Sequence, residues 1–184
     1  IFIDSDVPVG AGLSSSAAIE CAVSLALNDA WQLGFDRAVL ARAGQLAENT
    51  AVGAPTGIMD QTASLFGEAG AAVFLDCRSL ESRPVKLGLA DAGLSLVVID
   101  TASAHNLADG GYLDRRASCE LAARILGIAS LRDLDVDGLP EAREVLDDTT
   151  FRRARHVVTE NQRVLDTVRI LAEQGPGAIA NLLD

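Results

Sequence analysis

The chain has 184 residues, and its hydrophobic content of 49% is sufficient for a packed core. Its net charge of −11 argues against a general nucleic-acid-binding role, which needs a basic surface, but leaves the binding of a small nucleotide open. The sequence has neither a signal-peptide pattern nor an apolar run approaching the roughly 20 residues of a membrane helix, so we expect a cytoplasmic protein without membrane contact.

The first part of the chain is predicted to form a strand and two helices. Residues 1–7 are apolar enough for a strand that leads into a glycine-rich loop. Small residues recur at helical spacing from Ser14 to about Ala30, which predicts a buried helix in close contact with neighbouring backbone. Asp36 is a suitable N-cap for a second helix that runs to about Thr50, before a turn rich in glycine and proline.

Three segments in the middle of the chain are predicted to be strands. They are residues 70–76, 83–87 and 94–100. The third segment is short, apolar and β-branched, so we expect a buried strand there.

The remainder of the chain is predicted to be mainly helical. One helix is expected from Tyr112 to Leu126. The longest helix is expected from about Thr150 to Gln174, where an apolar stripe ends at a glycine–proline pair. Between these helices, the acidic residues 133–148 are expected to form a loop with a short helical turn.

This mixture of helices and strands favours the α+β class over a doubly wound parallel sheet. The easiest domain boundary lies in residues 88–93, so we expect one domain over residues 1–90 and another over residues 91–184. Because the chain opens without methionine inside a predicted strand and ends without a closing motif, we expect an internal piece of a longer protein.

The pattern of the cysteines does not predict a chemical role for them. They are odd in number, widely spaced and set in apolar or helical context, at Cys21, Cys77 and Cys119. This spacing argues against a disulfide or a metal cluster. We therefore expect buried, reduced thiols.

The segment PVGAGLSSSAA, residues 8–18, is the first candidate binding site. Gly10 and Gly12 allow the backbone to turn and to approach a ligand closely, and Ser14, Ser15 and Ser16 follow where a helix begins. A helix N-terminus supplies unpaired N–H donors and a positive dipole end, so the segment is suited to phosphate. The alternative is a capped turn without a ligand, which three consecutive hydroxyls disfavour. Neither a Walker A loop nor a Rossmann fingerprint is present.

Two acidic residues flank the glycine- and proline-rich turn. Glu48 precedes the turn and Asp60 follows it. Asp60 has apolar and glycine neighbours, where an acid is either desolvated for chemistry or caps a helix. The pattern alone leaves these two interpretations equal.

A cationic cluster lies near the start of the longest predicted helix, at Arg152, Arg153 and Arg155. Such a cluster could attract phosphate, but in an acidic chain it more often pairs with local carboxylates. The neighbouring His156 is expected to be solvated or to lie between helices.

Several segments resemble one kinase family. Residues 8–18 resemble the second motif of the GHMP kinase superfamily, Pro-x-Gly-x-Gly-Leu-Ser/Gly-Ser-Ser-Ala. Residues 47–61, AENTAVGAPTGIMDQ, are similar to the galactokinase segment Ala-Glu-x-x-x-x-Gly-x-Pro-Cys-Gly-Ile-Met-Asp-Gln, with Thr56 in place of the commoner cysteine. Residues 75–81, LDCRSLE, are similar to the family's Ile-Asp-Cys-Arg-Ser-Leu-Glu. Further similarities lie at Asp100, Thr101, His105, Tyr112, Arg115 and Arg116 and in residues 130–133 and 153–156.

This resemblance covers essentially the whole chain and implies a galactokinase. Such an enzyme transfers a phosphoryl group from ATP to the anomeric hydroxyl of galactose, which gives galactose 1-phosphate and ADP. The implied fold is the two-domain GHMP kinase fold, with an N-terminal part like domain 2 of ribosomal protein S5 and an α+β C-terminal part. ATP and Mg²⁺ are the implied cofactors, and galactose is the implied small-molecule partner.

The resemblance also implies roles for single residues. Asp60 would be the catalytic carboxylate that faces the sugar, either as a base or as an orienting group. Gly57 and Tyr112 would help to hold the sugar, and the role of Tyr112 depends on the resemblance alone. Ser16 and Glu48 would hold Mg²⁺, since a hydroxyl and a carboxylate are hard oxygen ligands. The phosphates would be cradled by Gly10, Gly12, Leu13, Ser14, Ser15 and Ser16.

Two motifs of the family are absent, namely an N-terminal segment with an arginine near the transferred phosphate and a C-terminal glycine-rich segment. We therefore expect these 184 residues alone to be inactive and poorly folded. A kinase for N-acetylgalactosamine or another sugar, and a non-catalytic sensor of galactose and ATP, are the alternatives. The intact serine–alanine run and Asp60 favour an enzyme, and two polar constellations at glycine-rich turns fit a structural module poorly.

Overall fold

The structure is a computed structural model that describes residues 2–99 and 111–182. The chain divides into two compact units, residues 1–107 and residues 108–184. Helices and a small sheet occur together, so the predicted α+β class is confirmed. The division into two family domains at residue 90 stays a prediction.

The first unit is built on three helices. They are α1 (Ser15–Ala30), α2 (Arg37–Ala47) and α3 (Met59–Phe66), with a π-helical turn at Glu48–Val52 that directly continues α2. The helices pack against one another around a core of Cys21, Leu40, Ala41, Ile58 and Leu65. As predicted, Asp36 caps α2, because its carboxylate accepts a hydrogen bond from the Val39 N–H at 2.8 Å.

The first helix is less buried than its small residues predict. Ala17 and Cys21 are buried, whereas Leu25 is 39% exposed. The reason is geometric, since α1 contacts α2 and α3 and buries the face that meets them. The small residues near its start still allow close packing against the helix that carries Gly44.

A two-stranded antiparallel sheet follows the helices. Strands β1 (Ala71–Leu75) and β2 (Ser82–Lys86) pair with Ala71 opposite Lys86 and Leu75 opposite Ser82. The connecting turn is held by Asp76, whose Oδ1 accepts bonds from the N–H groups of Arg78 and Ser79. Both strands agree with the sequence prediction to within two residues.

Two other predicted strands are wrong. Residues 2–6 and 94–99 are without regular structure, and the side chains of Leu96 and Ile99 are each 79% exposed. A strand exists through its hydrogen-bonded neighbours, and β1 and β2 pair only with each other among the described residues. Asp100, Thr101 and His105, which carried part of the family resemblance, lie outside the described residues.

The second unit is helical. It comprises α4 (Gly111–Leu126), α5 (Leu139–Val145) and α6 (Asp148–Gln174), with 3₁₀ turns at Leu131–Asp133 and Pro176–Leu182. Its core consists of Ala122, Leu131, Ala142, Leu146 and Ala154. Helices α4 and α6 agree with the predicted helices, and α5 lies in the predicted acidic loop, where only a short helical turn was expected. Neither 3₁₀ turn was predicted.

The 27-residue helix α6 has a strong N-cap. Oδ1 of Asp147 accepts bonds from the N–H groups of Thr149 and Thr150 at 2.9 and 3.1 Å. Hydrogen bonds from Thr150 and Thr149 hold the pKa of the Asp147 carboxyl below its ordinary value. At its other end α6 stops at Gly175, as the glycine–proline pair predicts.

The three cysteines are free thiols, as predicted, but they differ in burial. Cys21 is buried, Cys119 is partly buried, and Cys77 is exposed. The expectation of buried thiols is therefore wrong for Cys77, because it lies in the turn between β1 and β2, where side chains face solvent. In the described part of the chain, no helix combines the length and apolar character needed to cross a membrane.

Candidate active site

The glycine loop before α1 has an alternating backbone. Gly10, Gly12 and Ser14 have φ values of 76°, 75° and 54°, so every second residue is left-handed. A Cβ at Gly10 or Gly12 would meet no atom within 4 Å, so glycine is favoured here by its backbone angle and not by crowding. Alternating handedness is the pattern in which successive N–H groups can line a concave anion site.

Ser14 does not cap α1 with its side chain, although serine is a favoured residue at this position. It occupies the N-cap position, but its backbone is left-handed and its hydroxyl makes no capping bond. Side-chain capping requires an extended backbone at this position. The N–H groups in the first turn of α1 therefore receive no bond from the Ser14 side chain, and a phosphate could accept from them.

Ser16 and Glu48 are brought together by the fold. The Ser16 hydroxyl, in the first turn of α1, donates a hydrogen bond of 2.8 Å to Oε1 of Glu48. Glu48 is only 3% exposed and stands where α2 passes into the π-helical turn. Because the serine donates its proton to Glu48, its lone pairs remain available to another ligand.

The other oxygen of Glu48 is held from two sides. Oε2 accepts from the Thr56 hydroxyl at 3.1 Å and from the side-chain amide of Gln61 at 3.0 Å. A buried carboxylate with these donors is fixed in one orientation, with Oε1 toward Ser16. Thr56, the residue that departs from the family's cysteine, therefore takes part in the site.

Gln61 links two carboxylates. Its Nε2 donates to Oε2 of Glu48 and to Oε2 of Glu20, each at 3.0 Å. Gln61 is fully buried, and its Oε1 has no hydrogen-bond partner among the described residues. A Cβ at Gly44 on α2 would lie 3.1 Å from Cγ of Gln61, so glycine at this position gives the amide the space that it occupies.

Glu20 shares the polar cluster formed with Gln61 and Glu48. Burial raises the pKa of the Glu20 carboxyl, the hydrogen bond from Gln61 opposes this shift, and the negative charge of Glu48 adds to it. Sequence reasoning missed Glu20, Thr56 and Gln61 as members of the site. The spacing of Ser16 and Glu20 by one helical turn was the pattern that could have indicated Glu20.

Asp60 lies in the first turn of α3 and is partly buried. The N-cap of α3 is Ile58, so the interpretation of Asp60 as a helix cap is wrong. Its carboxylate makes no side-chain hydrogen bond or ion pair to any residue in the ranges 2–99 and 111–182. Gly57, two positions before α3, is exposed with open space around its Cα. Both residues are accessible to a small molecule.

Tyr112 belongs to the second unit. It is the second residue of α4, and its side chain is 46% exposed. The role of this hydroxyl toward a sugar stays a prediction.

The side-chain oxygens of Ser16 and Glu48 are suitable ligands for a magnesium ion. Mg²⁺ binds through one or two carboxylates together with waters and substrate phosphates, and it does not need a cage of protein ligands. The described residues contain no group of three or more histidine, cysteine, aspartate or glutamate side chains that could hold a metal. The hydroxyl–carboxylate pair of Ser16 and Glu48 is consistent with the simpler requirement of Mg²⁺.

Comparison with known proteins gives a consistent result. Residues 1–68 match the family described as GHMP kinases N terminal domain. The galactokinase of Streptomyces coelicolor is 48% identical over 100% of this chain and 48% of its own length. The galactokinase of Mycobacterium tuberculosis is 45% identical over 98% of this chain and 50% of its own length.

A solved structure also matches. The chain is similar to the crystal structure of Lactococcus lactis galactokinase complexed with galactose, with a TM-score of 0.84 and 30% identity. The match covers 97% of this chain and 47% of that chain. The present chain thus spans about half the length of the curated relatives it matches.

Proposed function

We propose that the chain belongs to the GHMP kinase superfamily and that its protein is a galactokinase, which transfers the γ-phosphoryl group of ATP to the anomeric hydroxyl of galactose. The observation that carries this proposal is the 2.8 Å contact between Glu48 and Ser16, which directly follows the glycine loop in the sequence. The hydroxyl and carboxylate oxygens of this pair suit Mg²⁺, and the N–H groups of the neighbouring loop suit phosphate. Phosphoryl transfer from a magnesium nucleotide requires both kinds of group. The galactokinase names of the relatives support the choice of sugar.

The first unit would bind the nucleotide phosphates. In the proposed complex, N–H groups of the glycine loop and of the start of α1 donate to phosphate oxygens, and the dipole of α1 favours their charge. The residues assigned to this cradle are Gly10, Gly12, Leu13, Ser14, Ser15 and Ser16. Ser16 and Glu48 would hold Mg²⁺, which neutralises charge on the transferring phosphate when it is bound.

Asp60 would act on the acceptor hydroxyl. Its unpaired carboxylate accepts the hydrogen bond of the anomeric hydroxyl and then its proton, while the sugar oxygen forms a bond to the γ-phosphorus and the bond to ADP breaks. Gly57 and Tyr112 are proposed to hold the sugar. Glu48, in contrast, has both oxygens engaged by hydrogen bonds, so it is the poorer acceptor of a proton from the sugar.

A cytoplasmic location is part of the proposal. All three cysteines are free, which supports a reducing environment. The strongly negative net charge also supports small-molecule partners over nucleic acid.

Product analysis tests the proposed function. The full-length protein is incubated with galactose, ATP and Mg²⁺, and the phosphorylated sugar is identified by ³¹P and ¹H NMR. We expect phosphate at the anomeric carbon and a stoichiometric amount of ADP. Phosphate on another hydroxyl, or hydrolysis of ATP without a phosphorylated sugar, would contradict the assignment.

A further inference from the structure

The second unit contains a cationic cavity of which the proposed function uses only Tyr112. Its volume is about 760 Å³. Its lining includes Tyr112, His156 and the cationic side chains of Arg115, Arg116, Arg152 and Arg153. Among the described residues, none that lines the cavity carries a carboxylate, although the chain as a whole has a net charge of −11.

The arginines of this cavity are largely not neutralised by acids. Arg153 donates to the backbone oxygen of Asp114 at 2.7 Å and to the Ser118 hydroxyl at 2.6 Å, which are both neutral acceptors. Arg152 donates to the backbone oxygen of Asp148 at 3.3 Å. The expectation that this cluster pairs with local carboxylates is therefore wrong for both residues.

The remaining cations differ in their pairing. Arg116 forms an ion pair with Glu120 at 3.0 Å. Arg115 is exposed and makes no side-chain hydrogen bond or ion pair within the part of the chain that the structure describes. Arg115, Arg152 and Arg153 therefore bring three guanidinium charges to one cavity, none of them paired with a carboxylate of residues 2–99 or 111–182.

We propose that this cavity is a binding site for a small phosphorylated molecule. Guanidinium groups present planar pairs of N–H donors that match phosphate oxygens, and a phosphomonoester carries enough charge to satisfy more than one of them. The volume lies in the range of small-ligand sites, and the side chains of Tyr112 and Val157 supply apolar surface for the remainder of the molecule. The site would bind phosphate whether or not the first unit transfers it.

The bonds of Arg153 make the cavity partly preorganised. Arg153 is on α6, and both of its acceptors are on α4, so its guanidinium is fixed between the two helices before a ligand arrives. A fixed donor loses less conformational entropy on binding than a mobile one. A ligand held by Arg115 of α4 and Arg152 of α6 would further link these helices.

Direct titration tests the site. Inorganic phosphate, glucose 6-phosphate and ADP are each titrated into the full-length protein and into its variants, and binding is measured by calorimetry. The double variant Arg115→Gln, Arg152→Gln removes two unpaired cations. Arg155→Gln is the matched control, since Arg155 is exposed on α6, the helix that carries Arg152, but does not line the cavity. Circular dichroism establishes that each variant is folded.

We expect at least one probe to show a saturable site whose affinity falls by about tenfold or more in the double variant and is unchanged in Arg155→Gln. The probe that binds most tightly identifies whether the phosphate, a sugar or a nucleotide is recognised. Phosphate that binds at the glycine loop would be unaffected by these variants. An absence of saturable binding, or equal loss in the control variant, would overturn the proposal.

Cysteine alkylation locates the binding. Cys119 lines the cavity, and burial raises the pKa of its thiol, so it should react slowly with iodoacetamide. Cys77 is exposed and serves as an internal control. A bound probe should slow the alkylation of Cys119 and leave that of Cys77 unchanged, as measured by peptide mass spectrometry. Equal rates with and without the probe would contradict binding in this cavity.

Discussion

The hydroxyl of Ser16 lies 2.8 Å from Oε1 of Glu48, although 32 residues separate them in the sequence. This contact joins the first turn of α1 to the end of α2, and Thr56 and Gln61 hold the opposite carboxylate oxygen. The pair is thus fixed before any ligand binds. Such preorganisation is what the proposed magnesium role requires.

The first prediction concerns the magnesium requirement. In the full-length protein, Glu48→Gln and Ser16→Ala each remove an oxygen ligand or its charge. We expect the Mg²⁺ concentration for half-maximal activity to rise by about tenfold or more in each variant. The measurement is a magnesium titration of initial rates at saturating ATP and galactose.

Ser24→Ala is the matched control for Ser16. Ser24 is on the same helix, and its hydroxyl donates to the backbone oxygen of Cys21 at 3.0 Å. Its loss should leave the magnesium dependence unchanged. If the magnesium dependence is also unchanged in Ser16→Ala and Glu48→Gln, the assignment of Ser16 and Glu48 as magnesium ligands is contradicted.

The second prediction concerns Asp60. Asp60→Asn keeps the size of the side chain but cannot accept the proton of the sugar hydroxyl. We expect kcat to fall by about 10²-fold to 10⁴-fold, with little change in the binding of ATP. Steady-state kinetics and a separate nucleotide titration measure the two effects. Near-normal turnover would refute a catalytic role.

Glu68→Gln is the control for Asp60→Asn. Glu68 is an exposed acid shortly after α3, so it tests whether loss of a negative charge near this helix has a general effect. We expect its kcat to remain close to that of the parent protein.

The third prediction concerns Gln61. Gln61→Leu fills the same space but removes the donor that Glu20 and Glu48 share. Removing the unpaired Oε1 is favourable, but two carboxylates lose a hydrogen bond, and we expect a net loss of about 2 kcal/mol of unfolding free energy. Urea denaturation measures the loss. Gln162→Leu, on the exposed side of α6, is the control, and an equal loss there would mean that the shared donor contributes nothing specific.

The fourth prediction concerns pH. Since the pKa of Glu20 is raised above 4.5 in the folded state, folding favours its protonated form, and this group costs stability as the pH rises through its folded-state pKa. Glu20→Gln can still accept the bond from Gln61 through its amide oxygen. We expect this variant to be more stable than the parent at neutral pH, with the difference vanishing below pH 4.5. Urea midpoints at both pH values measure the difference, and lower stability of the variant at neutral pH would contradict the account.

The helices were predictable because their determinants are local. Apolar periodicity and the caps at Asp36 and Gly175 define helix ends within a few residues of the chain. The two wrongly predicted strands depend on determinants that are not local. The apolar, β-branched residues 94–99 have the composition of a strand, but a strand depends on hydrogen-bonded neighbours, which local composition does not specify.

The candidate site was predictable only in part. The glycine loop and the acidic residues Glu48 and Asp60 were found from the motifs that carry the family resemblance. The bridging role of Gln61 was not predictable, because its two acceptors lie 13 and 41 residues away and meet it only in the packed unit. The cationic cavity was also predictable only in part, since the sequence indicated Arg152 and Arg153 as a cluster that could attract phosphate, but Arg115 and Arg116 of α4 join them only in the packed unit.

The most direct test of the central claim is a coupled ADP-release assay on the full-length protein with three acceptor conditions: galactose, N-acetylgalactosamine and no sugar. The account predicts ADP release that depends on galactose and is lost in Asp60→Asn. If no acceptor gives ADP release, while galactose and ATP still raise the thermal stability of the protein, the enzyme assignment is contradicted. That result would indicate a sensor of these two ligands.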